Sequence, residues 1–368
     1  MQDHVLVAGA TGVVGQAVVR HFAKRGDCQV TALSRRKPDE LWGARHCSVD
    51  LNDEQATHAL VSELRDVTHL VFAALYEKPG LIQGWLEADQ IETNARMLRN
   101  LFEPLDTTAE RLRHVTLLQG TKAYGAHVRP LPIPAREHRS ELRSVPNFYW
   151  QQEDYLRAKQ AGKNWVFTIL RPQIIFGLSI GAAMNLIPVI GVYAAIARAR
   201  GEALAYPGGD APVLEAVDAD LLAEAIDWAG RTPEAVNEIF NVTNGDVFRW
   251  QDCWPAMADA LGLEVGTPEP VRLAECLPAL APEWDQLRSQ HKLVAPDLLR
   301  FLGESIHYAD FCMAYGATSP PSPALVSTIK LRQAGFHVCM DTEAMFKKWF
   351  RVFEHARLLP SRDARQAA

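Results

Sequence analysis

Tyr155 and Lys159 stand in the spacing Tyr-x-x-x-Lys, and Tyr149 and Lys122 supply a second phenol and a second ammonium. A phenol beside an ammonium can donate a proton to an oxygen that gains negative charge, because the cation favours the phenolate and makes the proton more available. On a helix, residues four apart share a face, so Tyr155 and Lys159 are the obvious pair. Geometry argues against them. Pro146 and Asn147 should open the helix, which puts Tyr149 in its first turn. At about 100° per residue, Tyr155 lies about 240° around the helix from Tyr149, so the two cannot serve one reactive face. Four residues beyond Tyr149 stands Glu153, not a lysine. The missing ammonium can come from Lys122, which follows the apolar segment 114–118 in Gln119-Gly120-Thr121-Lys122, at the carboxyl edge where parallel sheets place ligands. Tyr149 and Lys122 are therefore the catalytic candidates, and Tyr155 with Lys159 is a decoy.

A second group of residues suits a dinucleotide. Gly9-x-x-Gly12-x-x-Gly15, with Thr11, Val13 and Val14 between the glycines, follows the apolar run 4–8. It opens a segment in which Val14, Val18 and Phe22 recur every four residues before Gly26. Small residues there permit a tight turn, close backbone approach to a pyrophosphate and close helix-on-strand packing, while the unpaired N–H groups of the helix start face the phosphates. At the end of the second strand the sequence is Ser34-Arg35-Arg36-Lys37, without the carboxylate that holds the ribose hydroxyls of NAD(H). Two guanidiniums and a hydroxyl suit a ribose phosphate, so NADP(H) is the expected cofactor. Asp50-Leu51, after a third strand, could flank the adenine; an ordinary helix cap is the plain alternative.

These residues need elements to hold them. Short apolar segments at 4–8, 29–33, 69–73, 114–118, 166–170 and 239–242, with helix-compatible sequence between most of them, predict repeated β-α units. The expected fold class is α/β, a Rossmann-type doubly wound parallel sheet with a smaller, mostly helical C-terminal substrate lobe. Residues 1–171 should form the NADP(H)-binding domain, with the strand near 239–242 returning to it, and 172–368 mainly an interleaved lobe. Residues 266–282 predict a connector. Arg136, Arg139 and Arg143, interleaved with Glu137 and Glu141, predict a solvated loop. Between Arg171 and Arg198 no residue is charged, a run long enough to cross a bilayer. Gly177, Gly181, Pro188 and Gly191, with Gln173, Ser179 and Asn185, interrupt it and add polar groups costly in lipid. A buried wall of an apolar pocket is expected instead, with Phe176, Met184 and Tyr193 toward a lipophilic substrate.

Composition narrows the chemistry further. Against 44 Asp+Glu stand 38 Lys+Arg, a net charge of −6, which does not suggest a nucleic-acid partner. With 48% hydrophobic residues in 368, disorder is excluded, and the length allows two domains or one large domain with an added lobe. The six cysteines are widely spaced with no C-x-x-C and no secretory leader before them, so reduced thiols in a cytoplasmic protein are expected. The twelve histidines form no ligand cluster, and no metal is expected. Redox chemistry would then need an organic cofactor.

Segment 9–15, Ser34-Arg35-Arg36, Gly120-Thr121-Lys122, Asn147-Phe148-Tyr149 with Glu153-Asp154, and Arg171-Pro172 carry a family resemblance. So do Ile175-Phe176-Gly177, Met184-Asn185-Leu186, the segment 192–196 and Asn244-Gly245-Asp246-Val247-Phe248. Together the chain resembles the progesterone 5β-reductase and iridoid synthase-like family of atypical extended short-chain dehydrogenases/reductases. Trp150 and Ala123 depart from the Tyr and His common in plant members, and the segment between Lys122 and Tyr149 is short, which bears on substrate size and shape. The resemblance implies that NADPH reduces the carbon–carbon double bond of an activated enone, with the catalytic Tyr and Lys at Tyr149 and Lys122. The implied cofactor set comprises Gly9, Thr11, Gly12, Val13, Val14, Gly15, Ser34, Arg35, Arg36, Asp50, Leu51, Ala73, Ala74, Gln119, Gly120, Lys122, Tyr149, Arg171, Pro172 and Ile174. A small lipophilic enone is the implied partner, with no membrane span and with room for a homodimer. Carbonyl reduction, sugar-nucleotide epimerisation or dehydration, and non-catalytic NADP(H) sensing are the competing readings.

Overall fold

A computed structural model gives the structure of residues 2–362. Strand β1 (Asp3–Ala8) is apolar and almost wholly buried, as a strand covered on both faces must be. It turns at Gly9 into α1 (Val13–Arg25), which Gly26 ends in the left-handed conformation at φ 72°. There follow β2 (Cys28–Ser34), β3 (Arg45–Ser48), α2 (Glu54–Val61), β4 (His69–Phe72), α3 (Ala88–Thr108), β5 (His114–Leu118), α4 (Phe148–Gln160) and β6 (Val166–Pro172). The short β7 (Ile174–Phe176), α5 (Leu186–Arg200), β8 (Ala216–Asp218) and α6 (Ala219–Ala229) lead to β9 (Glu238–Val242). The main sheet has seven strands in the order β3-β2-β1-β4-β5-β6-β9, all parallel, so the strand near 239–242 does return to it, paired with β6. Strand order reverses between β1 and β4, and the carboxyl ends on either side of that point frame the crevice where such sheets bind ligands.

Two apolar layers cover the sheet. Leu98, Leu101, Phe102 and Leu156 from α3 and α4 pack with Leu70, Val115 and Phe167 on one face. On the other, Val14, Val18 and Phe22 of α1 join α5, α6 and the C-terminal helices in one continuous core. Those helices are α7 (Trp250–Ala260), α8 (Leu273–Ala279), α9 (Ala281–Gln290), α10 (Leu298–Leu302), α11 (Ser305–Cys312), α12 (Ile329–Gln333) and α13 (Thr342–His355).

Three expectations change. The connector at 266–282 contains α8 and the start of α9: Pro282 sits in the first turn of α9, where a missing N–H costs nothing. The uncharged run is not one element; it holds the end of β6, then β7 and most of α5, which is buried on all sides. Phe176 is fully buried in the core against Trp250 and Phe346, so it does not line a pocket beside Tyr149. No helix among the described residues is long and apolar enough to cross a membrane. The segment 136–143 is solvated only in part: Arg139 and Arg143 are exposed, whereas Glu137 and Ser140 are buried. Glu137 is buried and accepts the Asn241 N–H at 2.9 Å, and Arg136 donates to Ser327 Oγ at 3.0 Å.

Gly9 has φ +86°, and a Cβ there would sit 2.6 Å from the Ala73 carbonyl carbon and the Ala74 nitrogen. Gly9→Ala combines left-handed strain with a backbone clash and should cost about 3 kcal/mol of stability. A clearly lower urea midpoint is expected; an unchanged midpoint would show that the turn relaxes freely.

Candidate active site

The cofactor cradle is built from the turn after β1. Gly12 donates its N–H to the Gly9 carbonyl at 3.0 Å and stands at the start of α1 without a side-chain cap, which leaves the first helical N–H groups open. A Cβ on Gly15 would collide with the Gly9 carbonyl group. The turn thus fits a pyrophosphate at a helix N-terminus. Arg35 and Arg36 are exposed at the end of β2, and their guanidiniums have no ion-pair partner among the described residues. The Ser34 hydroxyl is already engaged, donating to the Arg36 carbonyl at 2.6 Å. Asp50 accepts the Asn52 N–H at 3.0 Å in the turn after β3, and Asp53, not Asp50, caps α2. Leu51 is buried beneath that turn.

The two candidate reductive residues, Lys122 and Tyr149, both lie in the crossover between β5 and β6. Asn147 caps α4, its side-chain oxygen accepting the Tyr149 N–H at 3.1 Å, so Tyr149 is fixed in the first helical turn as the Pro146-Asn147 signal predicts. A Cβ on Gly120 would lie 3.2 Å from the Tyr149 hydroxyl and 3.6 Å from the Pro172 carbonyl oxygen. The phenol therefore ends over the carboxyl edge of β5 and β6, and its hydroxyl makes no hydrogen bond among the described residues. The Lys122 ammonium lies 6.0 Å from the Tyr149 ring centre, 5.9 Å from that of Phe148 and 4.4 Å from that of Trp85.

Lys122 does not lower the Tyr149 pKa as expected. Burial pushes the phenol up, the Glu77 carboxylate pushes it further, and Arg171 opposes them. Tyr149 is thus a neutral hydrogen-bond donor. Lys122 instead faces Glu77, with Nζ 3.6 Å from Oε1. Glu77, Trp85 and His127 were not found from sequence. They lie in the segments that follow β4 and β5, and position after a strand at the carboxyl edge was the one available signal. Glu77 Oε1, Trp85 Nε1 and both ring nitrogens of His127 are buried without a hydrogen-bond partner. His127 is pushed down to about 4 by burial and by Lys122, so it is neutral at pH 7. Burial pushes the Tyr308 phenol on α11 well above its usual range, and Tyr149 and Glu77 are among the groups near enough to act on it, which places it on the same site. Phe311, 48% exposed, meets Trp85 edge-on, and the exposed Ile82, Leu86 and Val128 are close in sequence to Trp85 and His127. These residues supply apolar surface around Trp85.

The decoy pair faces elsewhere. The Tyr155 hydroxyl donates to Glu103 at 2.7 Å and Lys159 to the same carboxylate at 2.6 Å, both on the α3 side. Beneath Tyr149 the side chains of Gln119 and Arg171 are engaged internally. Fully buried Arg171 donates to Gln119 at 2.7 Å and to Glu141 at 2.6 Å, and Gln119 donates to Glu153 at 3.1 Å. At the cofactor site these two residues have only backbone to offer. Ala73, Ala74, Pro172 and Ile174 lie at or just beyond the carboxyl ends of β4 and β6.

A parallel seven-stranded sheet with an open glycine turn and a tyrosine over its carboxyl edge defines an NAD(P)-dependent oxidoreductase of the extended short-chain type. Residues 5–243 match the NAD dependent epimerase/dehydratase family. Among curated relatives, (S)-8-oxocitronellyl enol synthase of Catharanthus roseus is 33% identical over 314 residues, covering 80% of this chain and 78% of that protein. The enzyme of the same name from Antirrhinum majus is 29% identical and covers 98% of this chain and 93% of its own length. UDP-glucose 4-epimerase of Thermus thermophilus, solved with NAD, shares the fold with a TM-score of 0.66 at 17% identity, over 96% of this chain and 99% of that one. The chain belongs to the NAD dependent epimerase/dehydratase family and, within it, to the progesterone 5β-reductase and iridoid synthase-like branch of extended short-chain dehydrogenases/reductases.

Tyr155→Phe and Lys159→Ala remove only exposed contacts to Glu103. Each should cost at most about 1 kcal/mol of stability and leave turnover within about twofold. A collapse of turnover in either variant would return the Tyr-x-x-x-Lys pair to the active site.

Proposed function

We propose that the protein is an NADPH-dependent reductase of the carbon–carbon double bond of activated enones, with a small lipophilic α,β-unsaturated ketone or aldehyde as substrate. The observation that carries this reading is the unbonded, neutral Tyr149 hydroxyl over Gly120 at the carboxyl edge of the sheet. NADPH, held by the turn at 9–15 with Arg35 and Arg36 near its ribose phosphate, would supply the hydride for the β-carbon. Tyr149 donates a hydrogen bond to the substrate oxygen as enolate charge develops there, and Lys122 adds positive charge nearby. A protonated phenol suits this hydrogen bond, and the enolate then takes its proton from water, at oxygen to give the enol or at the α-carbon to give the saturated carbonyl compound. The curated relatives are named as enol synthases, in keeping with 1,4-addition. The epimerase reading loses support because the pair in Tyr-x-x-x-Lys spacing is tied to Glu103 on the α3 side. The six free cysteines suit a reducing, cytoplasmic setting.

The direct test follows NADPH absorbance with a small enone and asks whether the product keeps its carbonyl. Tyr149→Phe should reduce turnover by about a hundredfold or more with NADPH binding nearly unchanged; unchanged turnover would remove Tyr149 from the chemistry. Loss of the carbonyl from the product would instead favour a carbonyl reductase. NADPH binding without consumption across an enone and ketone panel would favour a sensor.

Arg35→Ala and Arg36→Ala should each weaken NADPH binding by about tenfold and leave NADH binding unchanged, as read by fluorescence titration. Equal losses for both cofactors would contradict the ribose-phosphate assignment.

A further inference from the structure

The segment after β4 carries a carboxylate into the site that neither the reaction nor the cofactor requires. Glu77 is 3% exposed at its side chain. One oxygen, Oε2, accepts from Gln90 Nε2 at 2.6 Å, and the same Gln90 amide accepts the Lys78 N–H at 3.0 Å through its oxygen, so the carboxylate is clamped to α3. The other oxygen, Oε1, has no well-formed hydrogen bond among the described residues and lies 3.6 Å from Lys122 Nζ, with the Trp85 indole also beside the carboxylate. Among the described residues Lys122 has no other carboxylate within ion-pair distance, and its ammonium sits among the rings of Trp85, Phe148 and Tyr149. An ammonium in such a setting loses its proton readily unless an anion is held beside it.

We propose that Glu77 is a positioning residue that serves as the fixed counter-ion of Lys122, keeping it an ammonium and setting its distance from Tyr149. This rests on the assignment of Tyr149 and Lys122 as the reductive pair. The titratable groups that face Lys122 are Glu77 after β4, His127 after β5 and Tyr149 on α4, with Arg171 at the end of β6 acting on Tyr149 and Tyr308 on α11 near Tyr149 and Glu77. His127 is neutral at pH 7, and Arg171 is neutralised by Glu141 at 2.6 Å. Glu77 is therefore the nearby anion of the set. Burial lowers the Lys122 pKa and Glu77 raises it again, while burial raises that of Glu77 and Lys122 lowers it. Removing the carboxylate leaves only the lowering influence, so Lys122 should lose its proton at lower pH. The alkaline limit of turnover should then move down with it.

Glu77→Gln keeps the side-chain shape and a group able to accept from Gln90. Side-chain nitrogen NMR of the full chain, with the Lys122 signal assigned by its loss in Lys122→Met, should show Lys122 titrating at least about one pH unit lower in Glu77→Gln. The alkaline limb of NADPH-dependent enone reduction should shift by the same amount. A merely structural role would lower turnover at every pH and move neither titration, and that result would overturn the proposal. Should Glu77→Gln fail to fold, carbon NMR of Lys122→Met gives the reciprocal measurement. The Glu77 carboxyl should titrate higher without the ammonium, and an unchanged titration would likewise overturn the proposal. If the titrations shift but the wild-type protein reduces no enone, the counter-ion role stands and the enone reading falls.

Discussion

The contact between Gly9 and the chain at Ala73 and Ala74 is the constraint on which the site depends. At 2.6 Å from backbone atoms there is no room for a methyl group, so β1 and β4 can be drawn this close at their carboxyl ends only through a glycine. The approach does two things. It shapes the turn that leaves the first N–H groups of α1 open, and it sets where the chain goes after β4. Four residues past Phe72 that chain reaches Tyr76, whose backbone is hydrogen-bonded to the buried Asn94 side chain on α3, and then Glu77. The cofactor turn and the carboxylate beside Lys122 are thus coupled through one short stretch of backbone.

A second layer of order lies below the reactive edge. Arg171 ends β6 wholly buried, with Gln119, Glu141 and the Tyr124 ring around it, and Tyr124 donates in turn to Asn241 of β9 at 2.6 Å. Buried charges persist when paired and hydrogen-bonded, and such networks define one arrangement because each alternative leaves a polar group unsatisfied. Here the network joins the ends of β5, β6 and β9 to the segment 136–143 and to α4. Glu153, which stands where a lysine would complete a Tyr149-x-x-x-Lys pair, belongs to it through Gln119 and Arg143. The helix that carries Tyr149 is therefore anchored by the residue that replaces the usual lysine.

The electrostatics of the site follow from burial more than from any single contact. Desolvation disfavours the charged form of every ionisable side chain there, so Tyr149 and Tyr308 are held as phenols and His127 as an imidazole. Lys122 and Glu77 are shifted the same way by burial, toward their neutral forms, and each partly offsets that shift in the other across 3.6 Å. The site is a nearly neutral, apolar enclosure with one ion pair and one unbonded hydroxyl, an environment in which an oriented phenol is worth far more than it would be in water.

Periodicity, glycine spacing and local residue order made legible the parallel sheet, the glycine turn after β1, the basic end of β2 and the separation of Tyr155 and Lys159 from Tyr149 around α4, because these are local properties of a chain with periods of 2 and 3.6. The placement of Tyr149 in the first turn of α4 was legible for the same reason, through Pro146 and Asn147. The partner of Lys122 was not: Glu77 is 45 residues away in the chain, in a segment without motif or periodicity, and only the close approach of β1, β4 and β5 brings the two together. Nor could composition show that Arg136, Glu137, Glu141 and Arg143 are drawn into a buried network, since charged residues in sequence look alike whether water or another charge satisfies them. Phe176 likewise read as a pocket wall, and only packing assigned it to the core. Local pattern decided which elements form and what chemistry they could present; tertiary structure decided which charges meet, because pairing across the fold depends on distances that no local period encodes.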